Sequence, residues 1–251
     1  MSKQKKQLIN YTKMKTIFTT IIAVTMLALT SCKKEAAKEA TSQPAVAETP
    51  AAAAEATSAF EPFQIMAVTH TVKNYDVWKK GFDEDEPNRT ASGLTLRALA
   101  RGMDNPNKIY IFLNVTNMQK AKDFAANPKL KNLMQKLGVI GKPEIIYSNV
   151  VRFAESPAEM KGRVRITFKV KDFDAWLKVY DAEGAKTRTV NGLIDRAIAR
   201  GIEDPNITYL TFAISDLEKV KARLKSPELQ KIMTNAGVIS KPVTDFYTSV
   251  L

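Results

Sequence analysis

One unit occurs twice in this chain, and that constrains the fold more than any other feature. Residues 64–152 align with 163–251. Val72-Lys-Asn-Tyr-Asp-Val-Trp78 matches Val170-Lys-Asp-Phe-Asp-Ala-Trp176, and Gly93-Leu94 matches Gly192-Leu193. Arg97-Ala-Leu-Ala-Arg-Gly102 matches Arg196-Ala-Ile-Ala-Arg-Gly201, and Pro106-Asn107 matches Pro205-Asn206. Gly138-Val-Ile-Gly-Lys-Pro143 matches Gly237-Val-Ile-Ser-Lys-Pro242. The offset steps from 98 to 99 near the end of the first helix, so one residue has been inserted there. A unit that recurs at a fixed offset has its own secondary structure and a face to bury on its neighbour.

Each copy reads as β-α-β-β-α-β. Residues 64–72 alternate and are rich in β-formers, which predicts a strand. Residues 74–91 place Tyr75, Trp78 and Phe82 at helical spacing, with Asn74 (Asp172 in the second copy) as N-cap. Strands follow at 94–102 and 108–115, joined by the turn Asp104-Asn105-Pro106-Asn107. Two short helices fill 117–137, parted where Pro128 opens the second and closed by Gly138. Residues 144–151 form the last strand. This order is α+β, a ferredoxin-like split βαβ unit. Its helices cover only one face of the sheet. On the third strand Ile109, Ile111, Leu113 and Val115 make one apolar face, and Tyr110, Phe112 and Asn114 make a mixed one. Both faces ask for burial, so two copies in one chain predict sheet against sheet, a closed barrel within the monomer.

The N-terminus is of a different kind. Residues 1–15 hold Lys3, Lys5, Lys6, Lys13 and Lys15 and no acidic residue. An apolar run, Ile17 to Leu29, ends in Leu29-Thr30-Ser31-Cys32. A basic start, a short apolar stretch and small residues before a cut describe a secretory signal. The run is shorter than the roughly 20 residues a spanning helix needs. Met14 is an alternative start to Met1. The last four residues resemble the bacterial lipobox, which implies a diacylglycerol on the Cys32 thiol and cleavage before it. Cys32 is the sole cysteine, which excludes an internal disulfide and a multi-Cys metal site. Lipid anchoring to a membrane of the bacterial cell envelope follows, with acyl burial worth about 0.8 kcal/mol per CH₂. Lys33 after the cysteine favours the outer membrane by analogy with enteric bacteria. Residues 33–61, rich in Ala, Glu, Thr and Pro, read as a flexible tether. The expected organisation is therefore signal peptide 1–31, lipidated Cys and tether 32–61, first repeat 62–152, link 153–162 and second repeat 163–251.

The formal net charge is +12, and five of those charges lie in the signal, leaving about +7. The lysines are dispersed and not interleaved with aromatics, which argues against nucleic acid and for solubility beside anionic headgroups.

The opening pattern His-x-Val-x-Asn-Tyr-Asp-x-Trp (70–78), the Arg before Gly-Leu, the Asp-x-Pro-Asn turn and the closing Gly-Val-Ile-x-x-Pro are similar to the dimeric α/β-barrel superfamily. The nearest group is its uncharacterised members related to antibiotic-biosynthesis monooxygenases and stress-responsive barrel proteins. The resemblance implies that two units pair into the barrel, with the second repeat replacing a second subunit, so a monomer with an internal pseudo-twofold is expected. It implies ligands between a unit's sheet and its helices. The superfamily spans cofactor-independent oxygenases, haem-handling enzymes and isomerases, so fold does not select a reaction.

The candidate site residues carry two readings each. His70, the sole histidine, is a general base or axial ligand in a first-repeat pocket, with the second pocket degenerate, or a half-buried strand histidine. Its counterpart is Phe168. Arg97 and Arg101, and Arg196 and Arg200, fall at i and i+4 on a strand and so share a face. They grip a carboxylate or phosphate, or pair with acids of the other copy. Tyr110 and Tyr209 offer a phenol or bury a ring. Trp78 and Trp176 line a ligand site or pack the core. Arg89 and Arg188 cap the first helix or close a pocket. Asp83-Glu84-Asp85-Glu86 reads as a solvated helix end. No nucleophile triad, P-loop, dinucleotide fingerprint or metal spacing is present, and no cofactor is expected, with haem through His70 as the one candidate. The leading expectation is a non-catalytic envelope lipoprotein that binds a small anionic or aromatic ligand or a protein partner. The alternative is a cofactor-independent oxygenase or isomerase of the monooxygenase-like type, acting on an aromatic substrate with His70 as base.

Overall fold

The computed structural model of the chain describes residues 60–250. The expected signal peptide, Cys32 and the tether up to residue 59 lie outside the described residues. No helix among the described residues is long and apolar enough to cross a membrane.

The first repeat runs β1 (Phe63–Val72), α1 (Tyr75–Glu84), α2 (Glu86–Ala91), β2 (Leu94–Gly102), β3 (Lys108–Val115), α3 (Met118–Ala126), α4 (Pro128–Lys136) and β4 (Val139–Phe153). The second runs β5 (Gly162–Lys169), α5 (Phe173–Glu183), α6 (Ala185–Val190), β6 (Leu193–Gly201), β7 (Ile207–Ile214), α7 (Leu217–Lys225), α8 (Pro227–Asn235) and β8 (Val243–Ser249). The order predicted from sequence holds, with one correction. The single helix expected over 74–91 is two helices. Pro87 has no N–H to donate to the preceding turn, so α1 stops and α2 starts with that proline in its first turn. In the second repeat Gly184, at φ +80°, makes the same break. The caps are as read: Asn74 accepts from the Val77 N–H and Asp172 from the Ala175 N–H.

The eight strands close into one barrel in the order β1-β3-β2-β8-β5-β7-β6-β4. Each repeat keeps the ferredoxin-like sheet, and the two join at both edges. Along one seam β4 runs beside β6 from Ser148↔Gly201 to Phe153↔Ala197. Along the other β2 meets β8 at Ala100↔Ser249, Arg101↔Thr248 and Gly102↔Tyr247. This is the intramolecular sheet-to-sheet barrel that the duplication predicted.

Strand alternation sends side chains to two places. Met66, Val68, Val72, Ile109, Ile111 and Leu113 face out under α1–α4 and pack with Trp78 and Phe82. Val164, Ile166, Phe168, Leu210 and Phe212 do the same under α5–α8 with Trp176 and Tyr180. The other faces line the barrel interior, where Tyr110 stacks on Tyr247 with ring centroids 4.7 Å apart. Tight entry to the second strand needs glycine. Gly192 sits at φ +82°, and a Cβ there would lie 2.5 Å from the Asp216 carbonyl oxygen.

Candidate functional site

The space between sheet and helices occurs twice, and the two versions differ. In the second repeat it is a cavity of about 450 Å³, lined by Trp176, Phe168, Leu210, Phe212 and Met233 among others. In the first it shrinks to about 70 Å³. The alignment explains the difference. Leu137 of the first repeat corresponds to Ala236, and Gly81 to Val179. Leu137 drops its side chain onto Gly81, where even a Cβ would come within 2.3 Å of it. Ala236 leaves that volume empty, and Val179 stands aside, 37% exposed.

A closed set of ion pairs borders the larger cavity. Arg188 donates to Asp195 through Nε and Nη2, both at 2.7 Å, and to the Tyr180 carbonyl at 2.9 Å. Its guanidinium lies 3.9 Å over the Tyr180 ring. The Tyr180 hydroxyl donates to Asp195 at 3.0 Å, and burial, then that carboxylate, push its pKa well above the usual phenol range. Arg223 donates to Glu183 at 2.6 Å and Glu228 at 2.9 Å. Every charge in this belt has a partner, so it shapes and rigidifies the mouth of an apolar pocket.

His70 faces the small cavity of the first repeat, opposite to the expectation that the second pocket is the degenerate one. Its ring meets Trp78 edge-on at 5.4 Å, and neither ring nitrogen has a hydrogen-bond partner. Burial lowers its pKa to about 4, so the imidazole is neutral at pH 7. Phe168 occupies the same position against Trp176 at 5.5 Å, and His70 fills the role of an aromatic ring in the packing. A cavity of about 70 Å³ is far smaller than a porphyrin, so the residues around His70 do not fit haem. Among the described residues no cluster of His, Cys, Asp or Glu could hold a metal ion.

The arginine pairs do not share a face. A β-bulge interrupts β2 between Leu96 and Ala98, and another interrupts β6 between Asp195 and Ala197. The extra residue shifts the alternation by one. Arg97 and Arg196, at the bulges, turn into the barrel. Arg101 and Arg200 face the helices, where Arg101 lies 4.0 Å over Tyr75 and Arg200 4.3 Å over Phe173. Each donates to the carbonyl of the turn proline, Pro106 at 2.7 Å or Pro205 at 3.1 Å. These two are fastened to their own repeats and are not a clamp. Tyr110 and Tyr209 also face inward. The Tyr110 hydroxyl donates to Asp245 at 2.9 Å, and burial pushes its pKa up to about 12. Trp78 is core, stacked on Phe82 at 4.9 Å, whereas Trp176 lines the large cavity. Arg89 is buried, 3.7 Å over Phe82 and bonded to the Phe82 carbonyl. Of the acidic run, Asp85 turns inward to Arg89 at 3.8 Å instead of facing solvent.

No family model matches the sequence, and no curated protein is similar to it. Solved structures do match. An anthrone oxidase-like protein superposes with a TM-score of 0.50 at 14% identity, over 75% of this chain and 92% of its own. A ferredoxin-fold protein from Listeria monocytogenes, related to antibiotic biosynthesis monooxygenases, gives 0.44 at 12% identity over 75% and 95%. A monooxygenase-like protein from Listeria innocua gives 0.43 at 12% identity over 74% and 93%. The fold is a ferredoxin-like α+β barrel. Here one chain supplies both halves of that barrel.

Reading the barrel's candidate residues from sequence missed the belt of Asp195, Glu183 and Arg223. The signal was present in the alignment of the copies. Leu96 becomes Asp195, Phe124 becomes Arg223 and Leu137 becomes Ala236. Three apolar positions turn polar or small together: Arg223 and Ala236 line the cavity, and Asp195 holds the lining residues Arg188 and Tyr180.

Proposed function

We propose that this chain is a lipid-anchored envelope protein whose tandem barrel binds a small aromatic or otherwise largely apolar molecule without turning it over. The binding place is the sheet–helix pocket of the second repeat. The observation that carries the reading is the inequality of two equivalent pockets, about 450 Å³ against about 70 Å³. Core packing tends to close such volume, since lost contacts cost stability. An open apolar pocket of this size, rimmed by a few fixed polar groups, suits a ligand. The rim groups Arg188, Glu183 and Arg223 are held in ion pairs, which supports binding over acid–base work. The anchor rests on Cys32 and the apolar run before it, with the outer membrane as its place.

The test is to transplant the plug. Val179→Gly with Ala236→Leu copies Gly81 and Leu137 into the second repeat. The neutral fluorescent probe N-phenyl-1-naphthylamine should bind the wild-type domain and bind the double variant at least tenfold more weakly, at similar melting temperature. Equal affinity for both, with the fold intact, would sink the reading.

A second reading keeps an enzyme, a cofactor-independent oxygenase or isomerase with His70 as base. The buried imidazole with two bare nitrogens is the observation in its favour. It requires the first-repeat pocket to open, and it requires that oxygen uptake or isomerisation of an aromatic substrate stop in His70→Ala.

A further inference from the structure

A separate cavity of about 480 Å³ lies inside the barrel, between the two sheets. The repeats contribute unlike walls to it. The inward residues of β1 are Phe63, Ile65 and Ala67, and those aligned with the last two on β5 are Arg163 and Arg165. One wall is therefore apolar and the facing one cationic. Arg97 and Arg196 add two more guanidinia from the bulges. Both lie over the ring of Phe153, at 4.3 and 4.9 Å, so they converge on one side of the cavity.

The positive charge is not fully balanced from within. Arg165 donates to Asp245 at 2.9 Å, yet its Nε is buried without a hydrogen-bond partner. Arg163 donates only to neutral groups, among them the Gly162 carbonyl at 2.9 Å and Ser156 Oγ at 3.0 Å. Arg196 pairs with Glu155 at 2.9 Å, but that carboxylate is 80% exposed and free to be displaced. Arg97 makes one long bond, to Asn114 Oδ1 at 3.3 Å, and no carboxylate among the described residues lies within ion-pair distance of it. Four guanidinia beside a low-dielectric cavity, with ion pairs to carboxylates at only Arg165 and Arg196, favour an added anion. A guanidinium offers paired donors that match a carboxylate or sulfonate. The apolar wall, with Phe112 and Tyr247, asks that the rest of the ligand be a ring or hydrocarbon body.

We propose that the barrel interior is a second binding site, for an organic anion with one carboxylate-like group on an apolar body. The anionic end is held by the arginines, with Arg97 and Arg165 the main contacts, and the body lies against the β1 wall. This site is distinct from the sheet–helix pocket and does not depend on it.

The probe is 1-anilinonaphthalene-8-sulfonate, the anionic counterpart of the neutral probe used above, titrated against the plugged Val179→Gly/Ala236→Leu domain. It should still bind there. Arg97→Met, at a residue that reaches solvent and has no ion pair, should weaken it at least tenfold. Ala67→Phe fills the interior from the apolar wall without touching charge, and should abolish binding. Melting curves confirm the fold of each variant. No binding to the plugged domain, or equal affinity in both variants, overturns the site. Loss in Ala67→Phe alone, with Arg97→Met unchanged, overturns the anion recognition. Failure of the neutral probe at the outer pocket leaves these outcomes readable, because the two probes report different cavities.

Discussion

Leu137 packs so closely onto Gly81 that a Cβ on the glycine would lie 2.3 Å from the leucine Cδ2. That contact closes the outer pocket of the first repeat. Leu137→Ala should reopen it. The cost should be about 2 kcal/mol, at the low end for a leucine because the side chain is only partly buried. Titration with N-phenyl-1-naphthylamine should then find two sites per chain instead of one. Unchanged stoichiometry, with the destabilisation present, would show that the helices collapse onto the gap.

His70 should make the protein acid-sensitive. Its folded pKa of about 4 lies below the unfolded 6.5, so between these values the unfolded chain binds more protons. Stability from the neutral imidazole is complete above pH 6.5 and falls as pH drops to 4, by about 3 kcal/mol in all. His70→Phe copies Phe168 of the second repeat. It should be at least as stable at pH 7, since two unpartnered nitrogens are removed, and should lose this part of the acid slope. Urea unfolding at pH 7 and pH 4.5 measures both; identical slopes would refute the assignment.

Asp245 joins the repeats from inside. It accepts from Lys108, Tyr110 and Arg165, each at 2.9 Å. Burial raises its pKa, but the Lys108 and Arg165 contacts outweigh this and hold it below the usual carboxylate range. Asp245→Asn should cost about 3 kcal/mol by leaving Arg165 buried without its counter-charge. The double variant Arg165→Ala/Asp245→Ile installs the Ala67 and Ile146 found at the same places in the first repeat. It should cost less than the two single changes added together. Simple additivity in denaturant unfolding would mean that the pair is not coupled.

Cys32→Ser should remove the anchor. In a bacterial host the full chain should take up labelled palmitate and sediment with membranes, and the variant should do neither. A variant that still sediments would place the membrane contact elsewhere.

The fold was legible in sequence because duplication states it twice. Where one copy is ambiguous, the other shows the same apolar period. The site was less legible for a local reason. Strand alternation assigned Arg97 and Arg101 to one face, but Arg97 is itself the extra residue of a bulge, and no residue in Arg97-Ala-Leu-Ala-Arg101 marks it. The helix break at Pro87 could have been read from the proline itself. Counting His70 as the distinctive residue drew attention to the first repeat. The coordinated changes at Asp195, Arg223 and Ala236 lay in the second.

Closing the barrel within one chain also gives its interior a direction. Two identical subunits across a twofold axis would set the same side chain on both sides, so an Arg165 would face another Arg165 and a ligand could enter in either of two equivalent orientations. With Ala67 on one wall and Arg165 on the other, head and tail are distinguished. A molecule inside can adopt a single polarity.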